Sequence, residues 1–286
     1  MKNIQKILFV LSLVFVIGLA TPPSQAASVN NLKEKKTYHY NLDQSGSKEK
    51  ISYSLSSNKI KVKINGKTIK TITLDSSFYE AHMQIFNCNT KTKGLNIWIY
   101  AYADSEDIRY SALYQYKNKK LTRIWNLTTD SDYSTQKMYH RNCGKVVSTN
   151  GKGQFTVAMD RALDVDCLTG NHWDKVVYKL SSGKVSKVTG NTYQFYQTYA
   201  MVGTSSVKKN GALKTAKAIK FYKNHNKSGG SFTVSKGTKV YPQKAYVSSK
   251  TTAYVQFKTS NGKLGWLCTN DYSWTNYPFS NMHFAD

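Results

Sequence analysis

Apolar and polar side chains alternate with a period of two along most of the chain. Ile51, Tyr53 and Leu55 are separated by serines, and Ile60, Val62 and Ile64 by lysines. Asn65-Gly66 follows directly, and Thr68 to Ile72 returns as a partner strand. Asn-Gly between two such runs is the strongest short hairpin signal, because both turn positions accept positive φ. The alternation predicts a sheet with one buried and one wet face.

The plan recurs about every 50 residues. Leu95–Ala103 and Tyr110–Tyr116 read as strands, and Lys117–Lys120 turns the chain into Leu121–Trp125. A third copy runs through Gln154–Ala158, Lys175–Leu180, the turn Ser182-Gly183 and Val185–Val188. Repeats of this length built from short strands predict an open, propeller-like β-repeat domain over 37–200, since three units are too few for a closed propeller. Lys208-Lys209-Asn210-Gly211 reads as a linker. Beyond it come Ser231–Val234, Thr238–Tyr241, Ala253–Phe257 and Leu264–Leu267, with turns at Lys236-Gly237 and Asn261-Gly262. These predict a small barrel over 212–275, with 27–36 as a leading linker and 276–286 as a tail. Leu213–Tyr222 is the best helix candidate, although Ile219–Tyr222 reads equally well as a strand. The expected fold class is all-β.

The start of the chain breaks this pattern. Lys2 and Lys6 precede an apolar run from Ile7 to Ala20, and Ser24-Gln25-Ala26 offers small residues for cleavage. This reads as a secretory signal over 1–26, too short to span a bilayer. With no other long apolar segment, the expectation is a secreted, extracellular or wall-associated protein with no membrane span.

Charge adds a second constraint: 41 Lys and Arg face 16 Asp and Glu. Only Arg109, Arg123, Arg141 and Arg161 offer guanidinium forks, so nucleic-acid readout is not expected. Outside a bacterial cell, a lysine surface attracts teichoic acid, anionic lipid head groups or acidic glycans, or serves solubility alone. Cys88, Cys143, Cys167 and Cys268 show no metal spacing. Export permits a disulfide, for which Cys143 with Cys167 is the preferred pair within one sheet unit.

Little in the sequence points to a reaction. Asp160, Asp164 and Asp166 form the tight acidic group, and Asp164 and Asp166 would share a strand face as paired carboxylates can in a glycosidase. His140 near Cys143 invites a thiol nucleophile, but no helix is predicted there to lower its pKa. The histidines are isolated. Ordinary surface acids and a plain cysteine account for these residues, and no catalytic residue is assigned.

The last 60 or so residues resemble a bacterial Src-homology-3-like domain. The resemblance is carried by Lys220-Phe221-Tyr222-Lys223, Lys236–Val240, Tyr254-Val255-Gln256-Phe257 and Asn261-Gly262-Lys263-Leu264-Gly265-Trp266-Leu267. Tyr254 stands where the family often has Trp. The resemblance implies binding of peptidoglycan peptides or glycans, with Tyr254 and Trp266 as ligand-binding residues. If Trp266 instead fills the barrel core, Tyr246 and Tyr272 are the surface candidates.

The repeat region resembles the aspartate-rich repeats of integrin-type propellers, whose loops hold calcium. Leu42–Ile51 keeps Asp43, Gly46 and Glu49 but has Ser45 and Ser47 where carboxylates belong, and Lys48 and Lys50 oppose a cation. Asp43, Ser45, Ser47 and Glu49 would form at most a weak, degenerate metal loop, and no cofactor is expected. The pairing of the two regions resembles exported Gram-positive (Firmicutes-type) proteins. The expectation is a non-enzymatic protein binding a cell-wall polymer, peptidoglycan or teichoic acid. Two alternatives stay open: an exported wall hydrolase or accessory subunit using Asp164 and Asp166 or Cys143, and a binder of a protein partner through a Tyr-rich face.

Overall fold

Each of the three alternating stretches folds into a four-stranded antiparallel meander. The computed structural model describes residues 28–74, 78–91, 94–102, 108–127, 144–160, 165–249, 251–273 and 275–284, without the side chains of 109 and 160. The expected signal segment therefore lies outside the described residues. Strand β1 (Val29–Leu32) is followed by the first meander: β2 (Tyr38–Tyr40), β3 (Glu49–Ser56), β4 (Lys59–Ile64) and β5 (Lys67–Thr73). The second meander is β6 (Glu80–Phe86), β7 (Asn96–Tyr102), β8 (Ile108–Lys117) and β9 (Lys120–Asn126). The third is β10 (Gly144–Thr149), β11 (Gln154–Asp160), β12 (His172–Ser181) and β13 (Lys184–Lys187). A four-residue helix, α1 (Asp166–Thr169), sits between β11 and β12. The hairpin turns follow the sequence: Asn65 and Gly66, Asn118 and Lys119, and Ser182 and Gly183 all take positive φ, the pairing a tight two-residue turn requires.

The second meander is the middle layer. Met83, Ile85, Ile97, Ile99, Ala112 and Tyr114 join Ile51, Tyr53, Ile60 and Val62 of the first meander in one core. On the opposite face Phe86, Trp98 and Leu113 pack against Val146, Phe155, Val157 and Tyr178 of the third. Burial on both faces explains why β7 reads as an unbroken apolar run where the neighbouring meanders alternate. Ring pairs Trp98–Phe155 at 6.2 Å and Trp125–Tyr178 at 4.7 Å fill that second interface, each adding about 0.5–1.5 kcal/mol beyond its buried area.

The edge strand β10 presents its backbone to this middle layer, so its polar groups need partners there. Gln84 supplies them in the manner of a peptide group: its Nε2 donates to Val146 O at 2.9 Å and its Oε1 accepts from Val146 N at 2.9 Å. Trp98 Nε1 and Ser111 Oγ donate to Gly144 O at 3.0 and 2.9 Å.

The remaining strands extend the third meander into a twelve-stranded sheet. They are β14 (Thr192–Val202), β15 (Ser206–Lys209), β16 (Leu213–Lys214), β17 (Ile219–Tyr222), β18 (Ser231–Val234), β19 (Lys239–Ser249), β20 (Thr252–Thr259) and β21 (Leu264–Cys268). The path runs β10-β11-β12-β14-β19-β20-β21-β17-β18. Strands make up 63% of the fold against 4% helix, and among the described residues none of the sheets closes on itself.

Four segments differ from expectation. Val29–Leu32, expected in a linker, pairs with β6. Lys208 and Lys209 of the expected linker are in β15, hairpinned on β14, and Asn210 ends it with its backbone N bonded to Thr198 O at 2.7 Å. Hydrogen bonding between β14 and β19 thus carries the sheet across the expected divide. Leu213–Tyr222 holds β16 and β17 and no helix, because Leu213, Ile219 and Phe221 all point into one core. The expected tail packs instead: Phe279 and Met282 are buried, bridged to Thr215 and Ala200.

Candidate functional site

The strongest constellation lies on the outer face of β19, β20, β21 and β17. Ala245, Val255, Phe257, Leu267 and Phe221 point into the core, so their neighbours in sequence point outward. Cross-strand register places Lys244, Gln256, Trp266 and Tyr222 in one row and Tyr246, Tyr254 and Cys268 in the next. Gly265 lets β21 approach this closely, since a Cβ there would stand 2.6 Å from Phe221 Cβ.

The 223–230 loop folds His225 over both rows. Its imidazole lies 4.0 Å from the Tyr246 ring, 5.7 Å from Trp266 and 6.0 Å from Tyr254, centroid to centroid. The loop is held by Lys223 N donating to Gly230 O at 3.0 Å and by Asn226 Oδ1 accepting from Ser228 N at 3.1 Å. Lysines rim the rings. Lys244 Nζ is 5.6 Å from the Trp266 ring, and Lys220 and Lys227 each place Nζ 5.7 Å from Tyr222. Lys227 also pairs with Asp271 at 2.8 Å, and that hydrogen bond raises its pKa.

Three of the four aromatics singled out from the sequence therefore meet around one histidine. Trp266 is buried, yet it stands outside the apolar core and forms the floor beneath His225 and Lys244. Tyr246 and Tyr254 are half-buried beside it, and burial first, then Cys268, raises the Tyr254 hydroxyl. Tyr272 packs against the main core instead, where burial and Asp271 push its pKa up to about 12. His225, Lys244 and Tyr222 were missed, because only the register and the loop path bring them together. Ring faces, hydroxyls and ammonium groups on one surface suit a ligand with apolar ring or chain faces and anionic substituents.

The expected calcium loop is used differently. Glu49 turns inward, and its Oε2 accepts from the buried Leu42 N at 2.8 Å. Asp43 Oδ1 accepts from Ser45 N at 2.9 Å, and the hydrogen bonds from Ser45 hold its carboxyl below the ordinary value. Among the described residues, no three His, Cys, Asp or Glu side chains gather as a metal set.

Asp164, His140 and Cys143 lie outside the described residues, as does the Asp160 side chain, so the preferred disulfide is not visible; Cys167 Sγ sits 3.9 Å from Thr269 O. Asp166 is buried in a cluster the sequence did not reveal. His172 places Nδ1 3.3 Å from Asp166 Oδ1 and Nε2 3.3 Å from Asp174 Oδ2, with no solvent exposure at His172 or Asp174. Nδ1 also lies 3.0 Å from Gly170 O, an acceptor, so both ring nitrogens face oxygens that want a proton. Burial favours the neutral ring, but Asp174 and Asp166 outweigh it and keep the imidazole charged well above its ordinary value. Sealed from substrate, Asp166 serves to hold the 165–172 turn together.

Comparison of the chain with protein-family models, curated proteins and solved structures finds no match in any of the three.

Proposed function

We propose that this chain is a secreted, non-enzymatic binding protein of the bacterial cell envelope, whose C-terminal strands engage a wall component through the face around His225. In this reading the three meanders are propeller-like units and residues 212–275 are a Src-homology-3-like module. The observation that carries it is the convergence of Tyr246, Tyr254, Trp266 and His225, rimmed by Lys244, on one sheet face. Rings supply stacking surface for a sugar or peptide, and lysines attract its anionic substituents.

The test is co-sedimentation with purified Gram-positive walls over a salt series. Tyr246→Ala and Tyr254→Ala are the informative variants because both side chains are half-exposed; Tyr79→Ala, 54% exposed on the second meander, is the control. Salt-resistant binding lost in the first two and kept in the control supports the proposal. Absent binding, or binding that all three variants retain, overturns it.

A further inference from the structure

Strands β14 and β19 are hydrogen-bonded neighbours only where Thr192–Gln194 meets Lys244–Tyr246. Beyond that point β14 turns to pair with β15, and β19 continues with β20 and β16. Pro242 lies at the split, next to a register shift between Pro242 and Lys244, and it has no N–H to offer a neighbour. The diverging strands open a cleft of ≈ 590 Å³, whose walls include Tyr196, Thr198, Asn210, Tyr241, Gln243 and Lys258. A second cleft of ≈ 350 Å³ shares Asn210 and Tyr241 and adds Lys208, Lys214 and Lys239. The two clefts adjoin at Asn210 and Tyr241 and are taken together as one groove.

Its chemistry is one-sided. No lining residue of either cleft is acidic, and all four lysines are exposed. The surroundings agree: from Lys175 to Asn270 the chain has seventeen lysines, no arginine and no Asp or Glu. That stretch alone supplies seventeen of the chain's net +25 charges, and Asp174, across from the lining residue Phe195, is paired with His172. Lysine ammoniums on flexible stems contact phosphates as point charges, whereas rigid planar recognition calls for arginine forks. Between the lysines stand neutral hydrogen-bonding groups. Asn210 Oδ1 is taken by Thr198 N at 3.0 Å, which leaves Nδ2 as its donor, and Tyr241 stands in the wall of both clefts.

We infer that this groove binds a linear polyol-phosphate chain, its lysines meeting successive phosphodiesters while the tyrosine and amide groups meet the hydroxyls between them. The envelope reading supplies the source of such a polymer, and the inference rests on it to that extent.

The test titrates the mature chain with a glycerol-phosphate hexamer and with hexathymidylate as a nucleic-acid comparison. Lys214→Gln/Lys239→Gln/Lys258→Gln removes three groove charges. Lys59→Gln/Lys61→Gln/Lys63→Gln removes three exposed charges from β4, far from the groove in the first meander. Expected are at least a tenfold loss in the groove variant, a salt slope shallower by about 2 (about 0.7 per charge on a single strand), and less than threefold loss in the β4 variant. Tyr241→Ala weakens binding with the slope unchanged. Equal losses in both triple variants, no binding by the wild type, or tighter binding of hexathymidylate overturn the inference. Each of those results leaves intact the salt-resistant co-sedimentation that depends on Tyr246 and Tyr254, whereas failure of the His225-face reading removes that salt-resistant component and spares hexamer binding.

Discussion

Replacing His172 by Gln strands two buried carboxylates without their shared cation. Asp166 and Asp174 each have an oxygen 3.3 Å from the imidazole, and His172 and Asp174 have no exposed surface. Apart from the imidazole, no donor among the described residues reaches either Asp174 oxygen, so the imidazolium is its compensation. At an effective dielectric of about 20, charges about 4 Å apart attract by about 4 kcal/mol. Two such pairs exceed the residual cost of burying the ring's charge, and removing the shared partner of a buried network costs about 3–5 kcal/mol. That corresponds to a fall in Tm of about 10 °C for a chain of this size.

The assay is urea unfolding of wild type and His172→Gln from pH 5.5 to 9. The folded-state pKa of His172 is raised above the ordinary 6.5. Its stabilisation is therefore complete below about pH 6.5, where the unfolded state also binds the proton. It fades as pH climbs through the folded value, by about 1.4 kcal/mol per pH unit in that window. The variant lacks this slope, so the two curves converge as pH rises. Adding Asp174→Asn to His172→Gln removes one orphaned charge and should recover about half the loss. A cost below 1 kcal/mol at pH 6, or parallel curves from pH 6.5 to 9, would refute the charged-cluster reasoning.

Gly170 has φ +64, and a Cβ there would stand 2.4 Å from His283 O. Gly170→Ala should therefore cost about 1–3 kcal/mol and raise amide exchange in 276–284 ahead of the rest of the sheet. Gln84→Leu leaves both the N–H and the C=O of Val146 without their partner; denaturation should register about 2–4 kcal/mol, from about 1–3 per buried group. Glu49→Ala removes the acceptor for buried Leu42 N and should lower stability by about 1–3 kcal/mol, with the same loss whether calcium or a chelator is present.

The strands were legible wherever one face of a sheet meets water. β3, β4, β9, β11, β12 and the hairpin β20–β21 all announce themselves by alternation and by turns that need positive φ. Partnering was less legible, because a strand's neighbour depends on contacts far away in sequence. β14 alternates imperfectly, since it changes partners along its length, from β12 and β19 to β15. β10 hid because side chains of the middle layer satisfy its backbone, so its own sequence needs no special pattern. His172 and Asp174 occupy the inward positions of β12 that continue as Val176 and Tyr178. A polar pair there looks like the end of a strand until Asp166 arrives from α1, and the sequence expectation accordingly began that strand at Lys175.

The same cluster bears on the binding surfaces, because the groove's shape depends on the angle at which β14 leaves β19. Only three residues of each strand are paired, too few to set that angle alone. The chain's last segment completes the restraint. Asn281 Nδ2 donates to Met201 O at 3.2 Å and to Ala212 O at 3.0 Å, and its Oδ1 accepts from Lys214 N at 2.7 Å. One side chain thereby ties the far end of β14 to β16, the strand that pairs with β19. Two residues on, His283 O accepts from Asn171 N at 2.7 Å, beside the turn that His172 and Asp166 hold. The buried charges pin the turn, the turn seats the final segment, and that segment holds the two walls of the groove apart. Chemistry sealed from solvent thus reaches a solvent-facing surface through a short run of backbone. This gives the buried cluster of Asp166, His172 and Asp174 a bearing on a surface that it never reaches.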